Sequence, residues 1–285
     1  MKLLFVDVQH GLGNRLRALA SGAAIAKRTG RDLVVVWRPD DHCEARIGDV
    51  LDYSGAVIED DSYKAYRSRA KHKLTCMEDE PNSRFQKAIL DNPKNALEGD
   101  VYVKTAYALL GPYHDYRLEQ QTLRSLRPAA AVLGLLTGVR TKNAVGVHIR
   151  SASGEGYEHL PYEAPKNWPA HRHRELVRWR KLSGVERFIK KVDALVSEGR
   201  ADTVFLAADT ADAYAAFKAR FGKRIASIDR SVFDRSARQI QYGLADMMCL
   251  ARAESLLGSS WSSFTEVAQR LAARGRPIAF SGKDF

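Results

Sequence analysis

The chain has 285 residues, 45% hydrophobic and 28% charged, the balance of a globular protein with room for two modest domains rather than of a disordered, fibrous or membrane-spanning one. Lys and Arg number 45 against 34 Asp and Glu, a formal charge of +11 that favours anionic partners without choosing among nucleotide phosphates, nucleic acid and membrane surface. No apolar run approaches the ~20 residues of a membrane span, and the opening MKLLFVDVQHGLGN turns polar too early for a secretory signal, so a cytoplasmic location is expected.

Leu3 to Val8 is apolar enough for a strand buried on both faces. A glycine turn follows, and from Asn14 the positions Leu16, Leu19, Ala20, Ala23 and Ala24 mark one face of a helix, with Gly30 at its C-cap. Leu33 to Trp37 reads as the next strand. This β-α-β order predicts a doubly wound domain with a ligand site at strand C-termini, near Gly11 to Arg15. From Asp40 to Asn95 the pattern is polar and broken, and it reads as loops and short elements suited to acceptor recognition. Leu126-Arg127-Pro128 interrupts the pattern and sets a boundary, giving domains 1–127 and 128–285.

A second alternation begins with the strand 144–149 and continues with a helix over 185–196, a strand over 203–207, a helix over 211–220 and a strand over 224–228. A helix around Leu244 to Ala251, the strand Ser255 to Gly258 and a last helix through Phe264 and Leu271 complete it. Ser263 with Glu266 three residues on fits a capping box. Cys43, Cys76 and Cys249 are widely spaced and read as buried thiols rather than a disulfide framework or zinc site.

Four segments carry the chemistry. His148 and Arg150 lie on one face at the end of a buried strand, where an arginine fork can bind phosphate oxygens or act as a structural ion-pair partner. Ser259, Ser260, Ser262 and Ser263 put four hydroxyls in five positions at a helix start, where backbone amides and dipole favour an anion and ordinary capping is the alternative. Gly11-Leu12-Gly13-Asn14-Arg15 is a glycine turn opening a helix; Leu16 replaces the third glycine of a dinucleotide fingerprint. Asp209 ends a strand where a base or ribose would lie, or caps the helix after it. No D-x-D triplet, the usual means of holding a diphosphate through a divalent ion, occurs.

In this order and spacing, the glycine turn with Asn14 and Arg15, the H-x-R strand His148 to Arg150, the strand end at Asp209, Asp246 in its helix and Ser262-Ser263-Phe264-Thr265 resemble the fucosyltransferase superfamily. That group includes the nodulation enzymes, the α1,6-fucosyltransferases and the protein O-fucosyltransferases. The resemblance spans most of the chain. It implies an α/β fold of the GT-B type, with two Rossmann-like domains facing each other across a cleft. It further implies an inverting, metal-independent transfer of fucose from GDP-fucose, with no cofactor beyond that donor substrate. Residue by residue it assigns the β-phosphate to Arg150, the guanosine to His148 and Asp209, and phosphate contacts to Ser262, Ser263 and Phe264. Gly11, Gly13, Asn14 and Arg15 would line the cleft from the acceptor side, and Asp246 would belong to the substrate site. Glu158, eight residues after Arg150, stands at the offset of the carboxylate base in the α1,6 enzymes. The basic residues those enzymes carry after H-x-R are replaced here by Ser151-Ala152-Ser153-Gly154, which keeps Glu155 and Glu163 in play.

A GT-B enzyme with another nucleotide sugar, and a non-catalytic binder of nucleotide or nucleic acid, are the alternatives. The aromatic-interleaved basic platform of single-strand binders is missing, so no specific nucleic acid is expected, whereas the basic loops leave peripheral membrane association open. Lipid-linked oligosaccharide, polysaccharide, small glycoside and protein hydroxyl all stay open as acceptor.

Overall fold

The computed structural model describes residues 2–78, 80, 82–153, 157, 164–272 and 275–285. The chain divides into two compact units, Met1–Ala129 and Ala130–Phe285. Among the described residues, each contains one five-stranded sheet.

The first unit runs β1 (Leu3–Val8), α1 (Leu12–Thr29), β2 (Asp32–Val36), α2 (Ile47–Val50), β3 (Ala56–Ile58), α3 (Tyr63–Arg69), β4 (His72–Cys76), β5 (Val101–Thr105) and α4 (Tyr116–Ser125). Its strand order is β3-β2-β1-β5-β4, all parallel. The apolar run Leu4 to Val8 is buried in the centre, because a parallel sheet is covered on both faces. α1 packs closely on β1: a Cβ at Gly22 would come within 2.6 Å of Val6 Cγ2, so glycine is what lets helix and strand approach. Gly30 ends α1 at φ 60°, its N–H turned back to the carbonyls of Ala26 and Lys27, as a left-handed C-cap requires.

The second unit runs α5 (Ala130–Gly134), β6 (Val145–Ile149), a 3-10 turn (Pro165–Asn167), α6 (Ala170–Leu182), α7 (Val185–Ser197), β7 (Val204–Ala208), α8 (Ala211–Phe221), β8 (Ile225–Ala226), α9 (Ala237–Arg252), β9 (Ser255–Gly258), α10 (Ser263–Leu271) and β10 (Ile278–Phe280). Its order is β10-β9-β6-β7-β8, again all parallel. One core joins Val145, Val147 and Ile149 of β6 and Val204 and Leu206 of β7 to Phe188 and Val192 of α7 and Phe217 of α8. Each such side chain taken from water contributes about 1.5–3 kcal/mol.

The alternation of strand and helix expected from periodicity is present, with β1 and β9 at the expected bounds. The region 40–95 is loops and short elements, as its pattern reads: α2, β3, α3 and β4 are short, and β3 and β4 are the edge strands of the first sheet. Edge strands tolerate polar and charged residues, and His72-Lys73-Leu74-Thr75 accordingly carries little apolar signal. β5, α4, α6 and β10 are likewise elements that the patterning passed over. The last helix is capped by Ser262 rather than Ser263: the Ser262 hydroxyl accepts from Thr265 N, and Ser263 is the first helical residue. All three cysteines are buried thiols. Among the described residues, no helix is long and apolar enough to cross a membrane.

Candidate active site

The second unit concentrates its polar groups at the C-terminal ends of β6, β7 and β9, where ligands bind in open parallel sheets. β6 and β9 are neighbours, with His148 in register with Gly258, and Ser259 laces their ends together. Its backbone N–H donates to the His148 carbonyl at 3.1 Å. Its hydroxyl donates to that same carbonyl at 3.2 Å and accepts from Arg150 N at 2.8 Å. A Cβ at Gly258 would collide with the Thr265 side chain, so glycine again permits the close seating of a helix, here α10.

Arg150 leaves β6 and donates from Nη1 to Asp209 Oδ2 at 2.8 Å. Asp209 follows β7 and also accepts from the amides of Ser151 at 3.1 Å and Ala152 at 2.9 Å. Burial pushes the Asp209 carboxyl upward, but Arg150 and the two amides outweigh it and hold it below the ordinary aspartate value. The side chains are 15% and 13% exposed, so the pair is accessible and fixed. A guanidinium held in this way at a strand terminus does not have to be ordered when an anion arrives.

His148 is buried and its ring lies on Phe264, with centroids 4.4 Å apart and planes 10° from parallel. Its Nδ1 is 2.7 Å from Thr265 Oγ1, and Thr265 donates its only hydroxyl proton to the Ser259 carbonyl at 3.1 Å. Nδ1 therefore donates, which leaves Nε2 with the lone pair. Burial, followed by the positive charge of Arg150, lowers the imidazole to about 3 against the opposing charge of Asp209. His148 is neutral at physiological pH.

Of the four serines at the α10 start, the structure commits three to the scaffold. Ser259 laces the strands, Ser260 donates to the Ser281 carbonyl at 2.7 Å, and Ser262 caps the helix. Ser263 and Phe264 stand half-buried at the first turn, where the N-terminal amides give a positive potential.

Two expected contacts resolve into supports. Asp246 on α9 is buried, and both its oxygens accept from Arg230 Nη2 at 2.9 Å. Burial raises its carboxyl to about 6 despite Arg230. Arg230 lies 4.7 Å from the Tyr214 ring and 5.2 Å from the Tyr242 ring. Tyr214 OH accepts from Ala208 N at 2.9 Å, one residue before Asp209. Asp246 thus acts behind the site, through Arg230 and Tyr214, rather than as a surface contact. Sequence alone missed Arg230 and Tyr214, which stand in no motif.

In the first unit, Arg15 is the other such support. Fully buried, it donates to the carbonyls of His10 and Arg38 and to Asp40 Oδ2, each at 2.7 Å, and it lies 5.2 Å from the Trp37 ring. It is a scaffold residue, and the expectation that it lines a cleft gives way to that role. Asn14 accepts from Arg17 Nη2 at 2.6 Å. Gly11 is the α1 N-cap in extended backbone, φ −71°, and a Cβ there would meet nothing nearer than the His42 carbonyl at 3.9 Å. Gly13 lies inside α1 and is buried. His10 adopts φ 63° with its ring 5.2 Å from that of His42; burial, then His42 and Arg17, lowers it to about 3. Glu158, with Glu155 and Glu163, lies outside the described residues.

No family profile and no curated sequence relative matches the chain. Solved structures do. NodZ, a fucosyltransferase from Bradyrhizobium, is 20% identical over 94% of this chain and 91% of its own, with a TM-score of 0.60. A variant of Arabidopsis thaliana FUT1 in complex with GDP is 15% identical over 98% of this chain and 70% of its own, TM-score 0.62. POFUT1 in complex with GDP-fucose is 13% identical over 99% and 97%, TM-score 0.54. The fold is that of the GT-B fucosyltransferases. Within that fold, the Arg150–Asp209 pair and the α10 start occupy the strand-terminal edge of the second Rossmann-like sheet. Among the described residues, no group of three or more His, Cys, Asp or Glu is placed to hold a metal ion.

Proposed function

We propose that the protein is an inverting glycosyltransferase that moves fucose from GDP-fucose to a hydroxyl acceptor without a metal ion. The observation that carries this reading is Arg150, fixed by Asp209 at the end of β6 beside the capped start of α10. Structures of the same fold include NodZ soaked with GDP-fucose or co-crystallised with GDP and POFUT1 in complex with GDP-fucose. Arg150 and the first-turn amides at Ser263 and Phe264 take the diphosphate, and His148, through its Nε2 lone pair, accepts from an N–H of the guanine. Asp209 positions Arg150. The first unit, with Gly11, Gly13 and Asn14, takes the acceptor.

In the reaction the acceptor oxygen attacks the anomeric carbon as the bond to the β-phosphate oxygen breaks. GDP departs with the electron pair and the configuration inverts. Charge grows on the departing diphosphate, where a preorganised guanidinium is worth most. The acceptor proton passes to a carboxylate, for which Glu158 is the candidate. Glu158→Gln is expected to lose turnover and keep GDP affinity; an unchanged rate removes Glu158 as the base.

Calorimetric titration with GDP, UDP, ADP and CMP, each with and without EDTA, tests the reading. Selective GDP binding that survives EDTA supports it. Preference for another nucleotide keeps the fold and discards the donor, and no nucleotide binding overturns the assignment.

A further inference from the structure

The loops leaving β6 and β9 bring two indoles together beside the residues assigned to the diphosphate. Trp261 follows β9 and adjoins Ser262, the α10 cap; Trp168 closes the turn Pro165–Asn167 ahead of α6. Their ring centroids are 6.0 Å apart with planes at 46°, and both residues are half-buried. They therefore bridge the loops of two hydrogen-bonded strands on the sheet edge where a ligand lies.

The backbone beneath Trp261 is unusual. Its φ is 55°, a region that glycine or asparagine would occupy more readily than a bulky aromatic. Ser260 on one side is tied to Ser281, and Ser262 on the other to Thr265, so the residue between them is held with its indole against Trp168. Neither ring belongs to the fully buried core. Partly open indoles offer broad apolar faces, and the natural complement of such a face is the C–H side of a pyranose ring.

We propose that Trp168 and Trp261 form the sugar subsite of the donor, a stacking surface that favours a 6-deoxy hexose over a hexose bearing a hydroxyl at C6. A sugar joined to a β-phosphate at Arg150 and the α10 start lies next to Trp261 in the chain. The methyl of a 6-deoxy sugar finds an apolar neighbour there, whereas a C6 hydroxyl brought against indole loses its water. Discrimination of about tenfold or more is the usual scale for one such group. This inference rests on the diphosphate assignment above.

The test is calorimetric titration of wild type, Trp168→Ala and Trp261→Gly with GDP, GDP-fucose and GDP-L-galactose, the last differing from GDP-fucose only by the hydroxyl at C6. Trp168 has extended backbone, φ −135°, which alanine adopts freely, and glycine suits the Trp261 backbone better than tryptophan does, so neither change strains the chain. Wild type is expected to bind GDP-fucose at least about tenfold more tightly than GDP-L-galactose. Both variants should bring that ratio close to one while GDP affinity stays within about twofold. A ratio that survives in both variants, or is absent from wild type, overturns the proposal. Equal loss of all three ligands in both variants also overturns it, because the indoles would then shape the nucleotide site. A wild type that binds sugar nucleotides but not GDP strikes the diphosphate assignment instead.

Discussion

The two central strands each have a histidine and an arginine close to their C-terminal ends, His10 and Arg15 after β1, His148 within β6 and Arg150 after it, and the arginines are used in opposite ways. Arg15 turns inward: its guanidinium is fully buried on two backbone carbonyls and Asp40. Arg150 turns outward and pairs with Asp209, which two loop amides hold in place. A guanidinium closed over by main-chain carbonyls fastens a loop. One braced by a fixed carboxylate at an accessible edge is ready to meet an anion. Both histidines, His10 and His148, are by contrast lowered to about 3, with burial the largest cause in each.

The largest effect expected from this comparison concerns His148. An unfolded imidazole takes a proton as pH falls below 6.5, while the folded one stays neutral until about pH 3. The stability it contributes is complete above 6.5 and is lost as pH falls toward 3, by about 5 kcal/mol at most. His148→Asn should show a flatter fall in urea-unfolding free energy between pH 6.5 and 4 than wild type; parallel curves would mean the ring is reached by protons in the folded state.

Removing a partner from a buried, bonded charge costs about 3–5 kcal/mol, so Arg15→Ala should lower urea stability on that scale. Arg150→Lys should reverse the balance. It keeps a positive charge beside Asp209 and is expected to lower urea stability by less than Arg15→Ala does, yet to lose about 100-fold or more in transfer because an ammonium cannot reproduce the fork. If it kept near-native turnover, the contrast between the two arginines would collapse. Gly11→Ala is the mildest. With φ −71° and only the His42 carbonyl near its would-be Cβ, it should lower the unfolding free energy by no more than about 1 kcal/mol, the scale of alanine at an N-cap, so a large loss of transfer would point to ligand approach at that backbone.

What the sequence made legible follows the physics of burial with one exception, β5, which is buried beside β1 but whose apolar run is broken by Lys104 and Thr105. β1, β6, β7 and β9 are central or nearly so and buried, and their apolar runs announced them; β3, β4 and β10 are short or at an edge and carry no such signal. The serine cluster at 259–263 was visible as composition, but which hydroxyl caps, which laces strands and which stays open depends on contacts such as Ser260 with Ser281, set by chain far away. The same limit explains Asp246, whose partner Arg230 lies on a loop, and Arg15, whose bonds reach 23 and 25 residues along the chain.

Strand order also carries a consequence for how the chain comes together in time. In both sheets the central strand pairs with one neighbour early and the other late: β1 takes β2 and then β5, whose Val101 faces Leu4, while β6 takes β7 and then β9, whose Ser255 faces Val145, with β10 added beyond it. Such long-range parallel pairing is slow, because loop closure must precede any gain from contact. A growing chain therefore holds one apolar flank open in each sheet, that of β1 until β5 arrives and that of β6 until β9 arrives. Aggregation during synthesis should concentrate in those two intervals.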